Sequence, residues 1–386
     1  MTKMTSTQRI TMAAEGEEPD RVPISGLGII GMALVWEELF GPDSWMDYGR
    51  DAKKLAEAMV YSCKELGFDA IAGLPDSNVV WEAIAEASGL GPYPATHWQR
   101  WVGQGPHRLY EGDPLKDILF GNPLVKTMKD ALKLVPADPY KHGRFPAIIE
   151  ATELANKELE GKWGFGGFSG AIWDVGCLMG WTQMFMAMRD DLELWKAVEE
   201  VAIETCYQIT KAMVKAGARS LGTVSLLPQW VGPEMFLKNP VWVHADHPPE
   251  LFERIYKEFH IGVGIHPCTV GPWEHAIPVW KKWVEEDHVP SFMLCEYGGA
   301  DAMARAKKEL APATVVGNLH PLDVMMYGSP ADVEAACKEL IKKCGPGGRF
   351  ILQCSDFPPR TPMENLKAMR SAVERYGYYP IEVEKL

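Results

Sequence analysis

The chain of 386 residues has no lysine- or arginine-rich run, and its balance is acidic: 39 basic side chains against 52 acidic ones, a formal net charge of -13. General affinity for nucleic acid rests on clustered cations set against phosphates, so DNA and RNA are excluded as partners of that kind. No stretch approaches the ~18 uninterrupted apolar residues of a membrane-spanning helix. The opening "MTKMTSTQRITMAAEGEEPD" lacks the apolar segment of a secretory signal. A cytoplasmic protein with no membrane partner is the expectation. Solenoid repeats and low-complexity segments are absent too. The eight cysteines, at 63, 177, 206, 268, 295, 337, 344 and 354, are scattered. Without an export signal they read as core thiols, metal ligands or catalytic groups rather than disulfides.

What is present is a recurring pattern. Short apolar runs end in polar or glycine-rich residues and alternate with helix-like stretches. The runs fall at 21–28, 68–77, 162–170, 219–227, 260–268, 291–297, 313–319 and 349–355. Amphipathic helices are expected at "DAKKLAEAMVYSCKEL", at "DLELWKAVEEVAIETCYQITKAMVKAG" with Gly217 as its stop, at "PPELFERIYKEF", and at "SPADVEAACKELIKKCG" between a Ser329 cap and a Gly345 stop. Strands alternating with helices imply a parallel sheet, and eight such units imply a closed (β/α)8 barrel, an α/β fold in one domain over 1–386. The interval 78–161 is too long for one crossover helix. It reads as an insertion after the second strand, either a lid over the site or a surface decoration. The 14 tryptophans serve as core anchors or as flat apolar walls of a pocket.

In such a barrel the working groups sit where strands end. The fifth run, "HIGVGIHPC", ends in His266 and Cys268; the sixth ends at Glu296, the seventh at Asn318 and the eighth at Cys354. These positions, far apart in sequence, converge on one mouth. One histidine and two cysteines with an oxygen ligand or an open position form a zinc set. Their wide separation suits a catalytic site rather than a zinc finger. Glu296 is the candidate fourth ligand. Asn318, Asp174 and Asp69 are candidates to orient a substrate, each also explicable as a loop-stabilising residue.

Five segments carry a resemblance: "TSTQRITMAAEGEEPDRVPI" (5–24), "GFSGAIWDVGCLMGWTQMFMAMRDDLELWKAV", "GIHPCTVG", "VVGNLHPLDVMMYGSPADVEAACKELI" and "FILQCSDFPPRTPMENLKAMRSAVERYGYY". The chain resembles the uroporphyrinogen decarboxylase-like superfamily of TIM barrels, and within it the zinc-dependent corrinoid methyltransferases. The stretches 78–161 and 228–259 do not share the likeness. In the methyltransferase branch a His-x-Cys and a distant Cys bind zinc, which maps onto His266, Cys268 and Cys354. One departure is Thr269, where the family has glycine. The metal-free decarboxylases carry arginines near the first strand, where this chain reads "ISGLGIIGMAL".

The resemblance implies a methyltransferase that moves a methyl group between a small methylated compound and the cobalt of a partner corrinoid protein. Zn2+ would act as a Lewis acid on sulfur or oxygen. No Asp-x-His-x-x-Gly corrinoid motif occurs in the chain, so the corrinoid (methylcobalamin) is expected on a separate protein. The tryptophans and the long excursion favour a methoxylated aromatic ether as donor, an O-demethylase chemistry. The alternative is a methylcobalamin:thiol methyltransferase of the coenzyme M type. A second alternative is a metal-free, uroporphyrinogen decarboxylase-like lyase, and a third a non-catalytic zinc- or corrinoid-binding module.

Overall fold

The computed structural model describes residues 4–26, 31–41, 44, 48–72, 74–75, 78–90, 123–162, 164–168, 170–267, 273–294, 297–354, 357–358 and 361–386. Eight parallel strands follow one another around a single sheet: β1 Ser25–Gly26, β2 Ala70–Ala72, β3 Gly164–Phe168, β4 Ser220–Ser225, β5 Val263–Pro267, β6 Ser291–Met293, β7 Thr314–Leu319 and β8 Phe350–Cys354. Each falls inside one of the eight apolar runs. The ring closes between last and first, where the Leu352 amide donates to the Pro23 carbonyl at 2.9 Å and Ile24 bridges Leu352 in parallel. This is the (β/α)8 barrel. Strands β5, β7 and β8 are buried at every residue, as expected where helices cover one face of a sheet and the barrel encloses the other.

The helices obey the local signals. Ser329 and Asp332 exchange backbone bonds in a capping box at the head of Pro330–Cys344. Gly217 ends the 25-residue helix Leu192–Ala216 in the left-handed conformation, φ 118°. Gly345 behaves differently from its expected role as a left-handed stop: it remains right-handed, φ -64°, and the chain leaves the helix at Gly347 and Gly348, both with positive φ. The interval 78–161 contains the helices Val79–Ala87, Met128–Ala131 and Phe145–Glu158 between β2 and β3; residues 91–122, the centre of the expected insertion, lie outside the described residues. No helix among the described residues is long and apolar enough to cross a membrane. Trp36, Trp81, Trp195, Trp273 and Trp280 are fully buried, so these are core anchors.

Helix α1 (Ser6–Glu15) closes the bottom of the barrel. Its Thr7 amide donates to the Lys162 carbonyl just ahead of β3, and the Thr314 hydroxyl at the start of β7 donates to Ala13. The main latch is Asp69. Its carboxylate, with no exposed area, accepts from Arg9 (3.0 Å), Arg21 (2.8 Å), the Ser6 hydroxyl (2.7 Å) and the Ile24 amide (2.9 Å). Asp69 precedes β2, so it stands at the start of the strand and not at the mouth. Its expected substrate-orienting role is corrected to a structural one. Burial opposes ionisation of the neighbouring Asp20, but its bond and ion pair with Arg9 outweigh that and hold the carboxyl below its ordinary value.

Removing one partner of a buried ion-pair network strands the others. Asp69→Ala therefore lowers the unfolding free energy by about 3–5 kcal/mol, read from urea unfolding. The Asp20 contribution is complete above the unfolded carboxyl value of about 3.9 and is lost as pH falls through its lower folded value. An acid titration of unfolding of Asp20→Asn against the parent shows the difference between them shrinking only in that acid range.

Candidate functional site

The interior of this barrel is open. TIM barrels ordinarily fill it with layers of bulky side chains. Here a cavity of about 470 Å³ runs up the lumen from the floor formed by Ile10, Thr11 and Ala14 of α1 to His266 near the mouth. Small residues explain it: Gly222 and Gly264 pair across β4 and β5, and Ser291 and Thr314 pair across β6 and β7, all four lining the lumen. The apolar cluster inside the lumen is correspondingly small, with Ala13, Val316 and Ile351 buried and Ile10 and Met293 packed against them; it is separate from the main core.

Among the described residues, His266 is the one sequence-predicted ligand on the lumen wall. Alternation along β5 gives it the phase of Gly264. It is buried, and its Nδ1 lies 3.0 Å from the Met293 carbonyl. A carbonyl only accepts, so Nδ1 carries the proton and donates. In the neutral ring Nε2 then holds the lone pair. Burial lowers the imidazole's pKa and outweighs the opposing effect of the Met293 bond, which keeps the ring neutral. This is how proteins orient a metal-binding histidine from behind. A backbone carbonyl as its partner left no trace in the sequence.

The other candidates divide. Cys268 and Glu296 lie outside the described residues. Cys354 ends β8, fully buried. Ile351 and Gln353 line the lumen, whereas Phe350, Leu352 and Cys354 belong to the main apolar cluster between strands and helices. Cys354 stands at the strand's end, one residue beyond Gln353 on the lumen wall. Among the described residues no group of three or more His, Cys, Asp or Glu side chains gathers as a metal site.

Asn318, next to last in β7, donates its amide to the carbonyls of Gly299 (3.3 Å) and Tyr297 (3.5 Å). It thereby braces the loop that follows Glu296. Asp174 is placed elsewhere. It sits in the first turn of the helix Ile172–Met179, fully buried, with its Oδ2 4.0 Å from the Cys206 thiol. It does not line the lumen. Burial, partly offset by backbone bonds, drives its carboxyl well above the ordinary range, which favours the protonated form. Sequence reading missed Asp246, which holds the turn after β4 by accepting from the Ser225 hydroxyl and the Leu226 and Leu227 amides at 2.6–2.9 Å. It also missed the lumen itself, whose signal was the glycine inside each of the fourth and fifth runs. No tryptophan, tyrosine or phenylalanine is among the described residues lining the lumen.

With this geometry established, comparison with known proteins is informative. The model of the uroporphyrinogen decarboxylase (URO-D) family matches residues 114–376. The chain belongs to the uroporphyrinogen decarboxylase family. It is 21% identical over 389 residues to the methylcobamide:CoM methyltransferase MtaA of Methanosarcina barkeri (strain Fusaro / DSM 804), covering 97% of this chain and 99% of the relative. A solved structure of a methyltransferase from Methanosarcina mazei shares the fold at TM-score 0.71 and 19% identity, covering 97% of this chain and 99% of that one. Both relatives span nearly the whole of this chain.

The two polar candidates separate on mutation. Asp174→Asn replaces a carboxyl whose ionisation burial opposes by a group of the same shape. It keeps activity and, at neutral pH, is at least as stable as the parent, because a group whose folded pKa is raised loses stability as pH rises above the unfolded value of about 3.9. Thermal unfolding and kcat at pH 7 check both. Asn318→Ala unties the β6 loop and lowers kcat/KM by about tenfold or more, the usual cost of losing a residue that orients ligands from behind, with the far-UV spectrum unchanged.

Proposed function

We propose that the chain is a zinc-dependent methyltransferase that transfers a methyl group between a partner corrinoid protein and a small thiol. The observation that carries this reading is His266, a neutral imidazole held at Nδ1 with Nε2 available beside an open lumen. The likeness to a methylcobamide:CoM methyltransferase over the full length supports a thiol as the methyl acceptor. It supports that reading ahead of a methoxylated aromatic donor, for whose aromatic walls the described lining residues offer no candidate. A metal-free decarboxylase for a polycarboxylate is disfavoured. Such a substrate needs several cations, and Arg219, at the lower rim, is the only lysine or arginine among the described lining residues.

His266 fits the metal, and Cys268 and Cys354 are the partners proposed for it, with Glu296 as a fourth ligand. When bound there, zinc supplies Lewis acidity that favours the ionised form of a thiol at neutral pH. The chain's own residues do the rest. Met293 fixes the imidazole by its carbonyl, and Asn318 steadies the loop carrying Glu296. The barrel walls hold the acceptor and limit water. The corrinoid is proposed to arrive on its own protein, at the mouth where the strands end.

Metal analysis by mass spectrometry tests this reading. The purified chain carries about one zinc per molecule; His266→Ala, Cys268→Ala and Cys354→Ala each lose it together with methyl transfer from methylcobalamin, while keeping the fold. A Cys354→Ala protein with full zinc and full activity removes that residue from the site and leaves it as a packing group of β8.

A further inference from the structure

We propose that the lumen beneath His266 is a binding chamber for the body of the acceptor, and that it selects a thiol whose body is uncharged and largely apolar. This rests on the thiol reading above and specifies its substrate class. Four observations carry it. The chamber of about 470 Å³ is contiguous with His266, a size that admits a small organic molecule. Its middle is walled by aliphatic side chains, Ile71, Leu74, Met293, Val316 and Ile351, with hydroxyls of Ser25, Ser291 and Thr314 also on the wall.

Charge is confined to the bottom. Among the described lining residues, Glu15 and Arg219 are the only ones with permanently charged side chains. Glu15 closes α1, and Arg219 stands just ahead of β4 and turns its guanidinium to the carbonyls of Ala218 and Val214. Finally, the distance is too great for a compact anion. Val224 is the residue of β4 opposite His266. Arg219 lies five residues below it, roughly 16 Å along a strand. A two-carbon thiol with its sulfur at His266 cannot bring an anionic tail to that arginine. It would leave the anion among aliphatic walls, at the cost of burying an unpaired charge.

Gly222 is the position that tests this. A Cβ built there meets no atom nearer than the Gly264 carbonyl oxygen at 3.9 Å, and its φ is not positive. A side chain at 222 therefore extends into the chamber without strain. Gly264 is unsuitable, because a Cβ there would come within 2.5 Å of the Ser291 hydroxyl oxygen.

The experiment is calorimetric titration of the zinc-loaded protein with two probes, phenylmethanethiol and 2-mercaptoethanesulfonate, on the parent, on Gly222→Leu, and on Val316→Phe, which fills the chamber from another wall. The expected result is at least tenfold tighter binding of phenylmethanethiol by the parent. Both variants lose at least tenfold of that affinity while keeping their zinc and their melting temperature. Tighter binding of the sulfonate, or chamber variants that bind phenylmethanethiol like the parent, overturns the chamber proposal. Where either of those results comes with methylcobalamin-dependent methylation of a thiol by the parent, the methyltransferase reading stands while the chamber falls. A parent that holds no zinc and binds neither thiol overturns both.

Discussion

Everything in this molecule hangs on the closure of one parallel ladder. Eight strands pair only with their neighbours in sequence, and the bond from Leu352 to Pro23 joins the last to the first. Closure leaves no sheet edge and brings the ends of all eight strands to one mouth. It also creates an interior that must be filled or used. The Asp69 cluster with Arg9 and Arg21 pins α1 across the bottom, so Ile10, Thr11 and Ala14 line the lower end of the space and His266 its upper end.

The same closure sets the chemistry. β5 and β6 are adjacent, so the carbonyl of Met293 stands beside the imidazole of His266 and decides which ring nitrogen is available. Glycine at 222 and 264 removes the side chains that would otherwise pack the middle of the barrel. An oriented, neutral nitrogen donor above a cavity whose described charged residues, Glu15 and Arg219, lie at its lower end suits a metal that activates a small sulfur compound. It is ill matched to a substrate bristling with carboxylates. The fold alone does not decide among such chemistries, since this barrel hosts many; the site does.

Much of this was legible in the sequence, for identifiable reasons. Apolar runs bounded by glycine and polar residues located all eight strands, because strands buried on both faces read as continuous apolar segments. Gly217 and Ser329 marked helix ends through local chemistry that needs no tertiary context. Where direction or phase mattered, the sequence was weaker. Asp69 and Asp174 both flank strand-like runs, yet one lies at the start of a strand and the other inside the helical layer. Cys354 ends its strand as expected, fully buried next to Gln353 of the lumen wall. The hollow interior was hidden for another reason: a glycine in a strand signals close approach or empty space, and only the neighbouring strand shows which.

The most direct test of the central claim is X-ray absorption at the zinc edge of the loaded protein, before and after addition of phenylmethanethiol. The account predicts one imidazole nitrogen and two sulfurs around zinc, and one more sulfur when the thiol is added, since a catalytic site keeps an exchangeable position. A zinc closed by four protein ligands and unchanged by the thiol would contradict it.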